Sequence, residues 1–309
     1  MILNRSLSLA LPVLVITVGV LCGYVFSERK SDQPVPVSTP AAAERGLTSI
    51  GIDPNHLVYL GGPFGVRVTK PEGEILRQWP TSQPVSALAL DSQGIVYAAY
   101  ERRVEKFDSE GKSLLTWGAG GCEGDDFGFV TGIAVTGDNV FVADAGSRAV
   151  YRFDSAGTLL NTITGKGPGD KEKGFILPGP NLDCDTLGEV LYVNNPGRMR
   201  VETYDFTGNL LGSWGQSGIK EAEFPGCDNP TNLAVFPDGR VAVSQKGQPC
   251  VKVFDSKGVF LACFGQNQFS DSARGIDLAV DKAGRIYAID PLTETVHIFE
   301  TQPAKEPAS

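Results

Sequence analysis

Two histidines, His56 and His297, are all that the 309 residues contain. That is too few for the three-histidine zinc centres on which many metal-dependent lyases and hydrolases rely. Basic runs are missing too. Against 27 Lys and Arg stand 36 Asp and Glu, a net charge of −9, so no footprint for a phosphate backbone exists and nucleic acid is excluded as a partner. No Gly-x-Ser-x-Gly elbow occurs, and no Cys/His pair falls in corresponding positions, which removes the common signatures of nucleophilic catalysis. Six cysteines do not make an even framework either. Setting Cys22 aside in an apolar segment leaves Cys122, Cys184, Cys227, Cys250 and Cys263, an odd number.

What is present begins with "LSLALPVLVITVGVLCGYVF", residues 7–26, which carries no charge and is long enough to cross a hydrocarbon core as a helix. The reading is a short flank at 1–6, a transmembrane signal-anchor at 7–26, a Pro-rich linker at 27–45, a folded domain at 46–301 and a disordered tail at 302–309. It expects a membrane-anchored protein with its folded part outside the cytoplasm, periplasmic or extracellular. The alternative is a secreted chain after cleavage of a signal peptide.

The folded part repeats itself. "FDSEG" at 107–111 returns as "FDSAG" at 153–157 and "FDSKG" at 254–258, with a looser "YDFTG" at 204–208. Each copy sits inside a longer unit of short apolar runs: a first strand, a second, a third ending in the aromatic, then Asp-x-x-Gly, then a fourth ending in Trp-Gly or Phe-Gly. Asp bonding its own backbone ahead and Gly taking positive φ describe a tight turn between third and fourth strands. Degenerate units at 48–80 and 275–300 bring the total to six, and the last lacks a fourth strand, for which Gln33–Pro40 is the nearby candidate. Six units of four short antiparallel strands predict an all-β, six-bladed β-propeller.

The pattern resembles the NHL-repeat family of six-bladed propellers, most closely in "VTGIAVTGDNVFVADAGSRAVYRFDSAG", where Asp144, Arg148, Phe153, Asp154 and Gly157 stand at the family's usual places. Blades two ("AAYERRVEKF") and five ("VSQKGQPCVKVF") depart from it. The resemblance implies a propeller that presents loops to a protein, peptide or glycan partner, here in the cell envelope, as a binding or scaffold module. Long acidic loops containing Glu123, Asp125 and Asp126, or Glu221, Glu223 and Asp228, would suit a basic partner or a cation. The alternative reading is a calcium-dependent hydrolase or lyase of the gluconolactonase-like propeller type.

Two local anomalies nominate sites. In "NLDCDTLGE" Asn181, Asp183 and Asp185 share one face of the innermost strand of blade four, and Leu182 and Cys184 the other. Asp183 falls in a column otherwise occupied by Gly51, Ala89, Ala134, Ala234 and Ala279, with Asn232 and Asp277 placed at the level of Asn181. An oxygen-rich set of Asn181, Asp183 and Asp185, with Asn232 and Asp277 as further binding residues, suits a hard cation, calcium before magnesium. A solvated Asp183, or one paired with Arg274, is the competing reading. In blade five, Cys250 and Cys263 flank the hairpin turn, and opposition of Asp255 and Gly258 would set them directly across from each other, in range of a disulfide.

Overall fold

The repeated Asp-x-x-Gly builds one turn four times over. Asp108, Asp154, Asp205 and Asp255 each accept, through Oδ1, the amides two and four residues ahead, at 2.7–3.0 Å. The glycines that close these turns, Gly111, Gly157, Gly208 and Gly258, have φ of 79° to 98°, a region open to Gly at no steric cost. Beyond each turn the ladder slips by one residue, so every third-to-fourth strand hairpin carries a bulge.

The structure is a computed structural model that describes residues 46–122, 125–165 and 174–301. Blade one holds β1 (Ser49–Ile52), β2 (Val58–Gly62), β3 (Gly65–Thr69) and β4 (Ile75–Trp79); blade two holds β5 (Ala87–Leu90), β6 (Val96–Ala99), β7 (Val104–Phe107) and β8 (Ser113–Trp117). Blade three comprises β9 (Val130–Thr136), β10 (Asn139–Asp144), β11 (Ala149–Asp154) and β12 (Leu159–Ile163); blade four comprises β13 (Cys184–Leu187), β14 (Val190–Asn195), β15 (Arg200–Asp205) and β16 (Leu210–Trp214). Blade five has β17 (Leu233–Val235), β18 (Val241–Gln245), β19 (Cys250–Phe254) and β20 (Phe260–Phe264), and blade six β21 (Leu278–Val280), β22 (Arg285–Asp290) and β23 (Thr295–Glu300). All pairings within blades are antiparallel. Each innermost strand touches the next, and β21 touches β1, so the ring closes.

The core is divided among the junctions between blades. Six apolar clusters correspond to the six junctions; that between blades two and three, for example, packs Trp117, Phe127 and Phe153 with Val140 and Val142. The aromatic that ends each third strand is the centre of such a cluster: Phe107, Phe153, Tyr204 and Phe254 are all buried. Burying one such ring contributes about 2–3 kcal/mol, which a lone blade could not recover. Blade six has three strands among the described residues. Its expected fourth strand, Gln33–Pro40, lies outside the described residues, as do the anchor at 7–26, the linker and the tail. Among the described residues no helix is long and apolar enough to cross a membrane.

Two turn glycines separate backbone strain from packing. Gly94 (φ 81°) has open space where a Cβ would project, whereas a Cβ on Gly258 (φ 82°) would meet Cβ and Cγ of Trp214 at 2.4 Å. Gly94→Ala should cost about 1 kcal/mol, from the left-handed conformation alone. Gly258→Ala should cost at least about 1 kcal/mol more, from the overlap. Equal losses in denaturant unfolding would show that the junction between blades four and five yields freely.

Candidate functional site

The innermost strands pair on one side only and turn their other edge toward a narrow channel of about 230 Å3. Amides on that edge need acceptors, and side chains of the preceding blade supply them. Asp183 Oδ2 accepts the Leu233 amide at 2.9 Å and Asp185 Oδ2 accepts the Val235 amide at 2.7 Å, both joining blade four to blade five. Asp277 Oδ2 accepts the Ile50 amide at 2.9 Å, joining blade six to blade one, while its Oδ1 receives Asn232 Nδ2 at 3.3 Å from blade five. Remaining oxygens of Asp183 and Asp185 accept the amides of Cys184 and Thr186. Burial, and then the nearby Asp277 carboxylate, hold Asp183 well above the usual carboxylate range. Burial also pushes Asp185 and Asp277 up to about 6.

The column assigned to Asp183 is corrected by two residues. Its carbonyl accepts the Asn194 amide just as Asn232 accepts Ser244 and Asp277 accepts Ile289, so Asp183, Asn232 and Asp277 share one level, and Asp185 is level with Ala134, Ala234 and Ala279. The error has a physical source: Asp185 reads as a turn residue, but β13 continues to Leu187 and turns at Gly188, φ 58°. Asn181 also leaves the expected set, since its Nδ2 donates to Asp228 Oδ2 at 2.7 Å. The three residues named for calcium are thus engaged with separate protein partners. Among the described residues no group of three or more His, Cys, Asp or Glu has the arrangement of a metal centre. Cys184 is buried between blades three and four as a free thiol.

In blade five the expected register is likewise corrected. Val251 faces Phe264 and Lys252 faces Cys263, because the turn carries an extra residue and a bulge follows at Val253/Phe254. Cys250 and Cys263 therefore lie on one face of the sheet but two residues out of direct opposition, and both are free. They face a cavity of about 420 Å3, the larger of the two described, bordered by Lys220, Gln245, Lys252 and Gln266.

A break in the repeat accompanies this cavity. In blades three, four and six the second strand ends in Asp144, Asn195 and Asp290, which accept amides of the incoming loop at Gly128 and Phe129, Ile176 and Ser270. Blade five has Gln245 in that place. It is 3% exposed, its Nε2 donates to the Gln248 carbonyl, and its Oε1 has no hydrogen-bond partner. Asn229 ties the loop down instead, through the Lys246 amide and carbonyl. Sequence reasoning flagged blade five as divergent but passed over Gln245; aligning the ends of the second strands would have found it. Three of the acidic loop residues serve locally: Asp126 pairs with Arg102 and Arg103, Asp228 with Lys246, and Glu223 accepts the Lys220 amide. Glu123 lies outside the described residues.

No family model matches the chain, and no curated protein matches it in sequence. Solved structures share its fold. A streptogramin B lyase superimposes with a TM-score of 0.56 at 13% identity, covering 88% of this chain and 87% of that one. A protein of unknown function from Bacteroides thetaiotaomicron gives 0.62 at 14% identity, with 84% and 70% covered. One from Bacteroides caccae gives 0.56 at 12% identity, with 82% and 95% covered. Identities this low establish the six-bladed propeller and nothing finer.

The channel carboxyls make stability depend on pH with a definite sign. Their folded-state pKa values lie above the unfolded value of about 3.9, so their contribution is complete below about pH 4 and is lost as pH rises through about 6. Asp183→Asn cannot ionise. The stability of the wild type relative to this variant should therefore decline from acid to neutral pH, by up to about 1.4 kcal/mol per pH unit for one proton. Urea unfolding of both proteins across that range measures it. A constant difference would mean that Asp183 ionises as freely in the fold as out of it.

Proposed function

We propose that the chain is a binding module with NHL-like blades, held at a membrane by residues 7–26 with the propeller outside the cytoplasm, and that its ligand site is the cavity of blade five. The observation that carries this reading is Gln245, which lines that cavity and whose Oε1 is a buried acceptor without a partner. A buried carbonyl oxygen left unbonded costs about 1–3 kcal/mol, and an N–H group brought by a peptide or protein segment would recover it. The channel supports the reading from the other side, because its carboxylate oxygens already hold the ring together. A calcium-dependent hydrolase or lyase working there would need Asp183, Asp185 and Asp277 withdrawn from the amides of Leu233, Val235 and Ile50.

The exposed Gln266 at the cavity mouth allows a test. With the full chain in detergent as bait, an envelope peptide or protein retained by the wild type should be lost on Gln266→Trp, at unchanged melting temperature. Equal retention by the two would move the binding surface elsewhere. Lactone or ester hydrolysis abolished by EDTA and restored by calcium would replace this reading with the enzymatic one.

A further inference from the structure

The wall of the same cavity holds an ammonium in search of an anion. Lys252 is 4% exposed, its Nζ donates to the Glu223 carbonyl at 2.6 Å, and it lies over the Phe224 ring. No carboxylate pairs with it among the described residues. A buried charge left without a counter-charge is costly. The group directly across the sheet is Cys263, whose sulphur also receives Gln266 Nε2 at 3.4 Å, and Cys250 lies on the same face two residues along β19. One amide donor thus reaches that sulphur, and a lysine and a second thiol share its face of the sheet. In blade four the corresponding positions carry Arg200, Glu202 and Ser213, in which Glu202 takes its hydrogen bonds from Arg200, Asn195 and Tyr204. Blade five has replaced that self-satisfied set by a lysine and two thiols.

We propose that Cys263 and Cys250 form a redox-active dithiol site, with Lys252 as counter-cation to Cys263, that exchanges with small amide-bearing disulfides entering the cavity. The step balances without a further oxidant. Cys263 Sγ, as thiolate, attacks one sulphur of the incoming disulfide, whose S–S bond breaks and releases one thiolate. Cys250 then gives up its proton and attacks Cys263 Sγ, expelling the second thiolate. The chain's two thiols are oxidised to a disulfide, the incoming disulfide is reduced to two thiols, and the two protons go to the leaving sulphurs. Hydrogen bonding from Cys250, then the Lys252 charge, lowers the Cys263 thiol below its ordinary value, while the same contact and burial push Cys250 up. This is the asymmetry expected of an attacking and a resolving thiol. The register adds a second consequence. Residues on diagonal positions have Cα atoms about 7–8 Å apart, at or beyond the limit of an unstrained bridge, so the disulfide once formed is strained and easily reduced again.

The inference rests on the cavity's receiving a ligand, but its chemistry is tested separately. The reduced full chain is treated with oxidised glutathione near neutral pH, quenched with acid, alkylated and mapped by mass spectrometry. The wild type should yield a Cys250–Cys263 cross-link. Cys250→Ser should instead accumulate glutathione on Cys263, at least about tenfold faster than on the exposed Cys227. Lys252→Met should slow that step near neutrality and leave it unchanged at alkaline pH. Equal rates at Cys263 and Cys227, or glutathione persisting on wild-type Cys263 with no cross-link, would overturn the proposal. Should Cys250→Ser not fold, the pH profile of iodoacetamide alkylation of wild-type Cys263 decides, and a midpoint at or above that of an ordinary thiol overturns it. Loss of thiol reactivity with partner retention intact would fail this inference alone and leave the binding reading standing.

Discussion

An innermost propeller strand is an edge strand, and its unpaired amides are what the centre of this molecule is arranged around. An edge amide shut away from water costs about as much as a lost hydrogen bond, and a channel of about 230 Å3 leaves little solvent to satisfy six such edges. At two junctions, blade four to five and blade six to one, the chain answers with side-chain acceptors reaching across. Asp183 and Asp185 serve blade five, and Asp277 serves blade one and so bonds the last blade to the first. Elsewhere hydroxyls cross a junction as donors: Thr131 Oγ1 donates to the Leu182 carbonyl, and Thr48 Oγ1 to that of Val85. Residues that look like ligands for a cation are thereby spent on closure, and their raised pKa values follow from the same burial.

Closure at the centre and packing at the flanks are coupled. Each apolar cluster belongs to two blades, so an aromatic such as Phe153 or Phe254 reaches full burial only when the neighbouring sheet is in place. The inner hydrogen bonds set the spacing at which those rings meet. Losing one junction therefore exposes two blade faces, and the propeller is expected to unfold as a ring and not blade by blade. The turn glycines take part in this: Gly258 sits against the Trp214 ring of blade four, and Gly157 against the Trp117 ring of blade two, so hairpin and junction constrain each other.

Most of the fold was legible because it is written in residues with local effects. Asp-x-x-Gly announces its turn, β-branched runs their strands, and recurrence the number of blades; Cys184 followed from alternation along its strand. The site was less legible for a reason equally physical. Side chains in a strand repeat every two residues, so moving Asp183 by two positions leaves every face assignment intact while changing which neighbours it meets. Only the turn at Gly188 distinguishes the two registers, and Asp185 imitates a turn residue. In blade five the cysteine register depended on an extra turn residue and a bulge that the letters "FDSKG" share with blades in which neither affects a site. Gln245 carried a signal in its difference from Asp144, Asn195 and Asp290, but that its Oε1 stands free depends on the path of a loop held by Asn229.

Blade five departs from the pattern of blades three, four and six and can afford to. Where Asp144, Asn195 and Asp290 tie the incoming loop, the second-strand terminus is part of the scaffold and a substitution there would loosen the junction. In blade five that duty passes to Asn229, on the loop itself, reinforced by the Asp228–Lys246 pair. The positions at the end of β18 and along β19 and β20 no longer have to hold amides of the incoming loop. They hold Gln245, Cys250, Lys252 and Cys263, polar groups whose requirements are met only in part from within the chain. Buried polar groups that remain under-satisfied weaken a fold unless something outside it completes them. Transfer of the structural hydrogen bonds to the loop is what lets this one junction bear that cost without opening the ring.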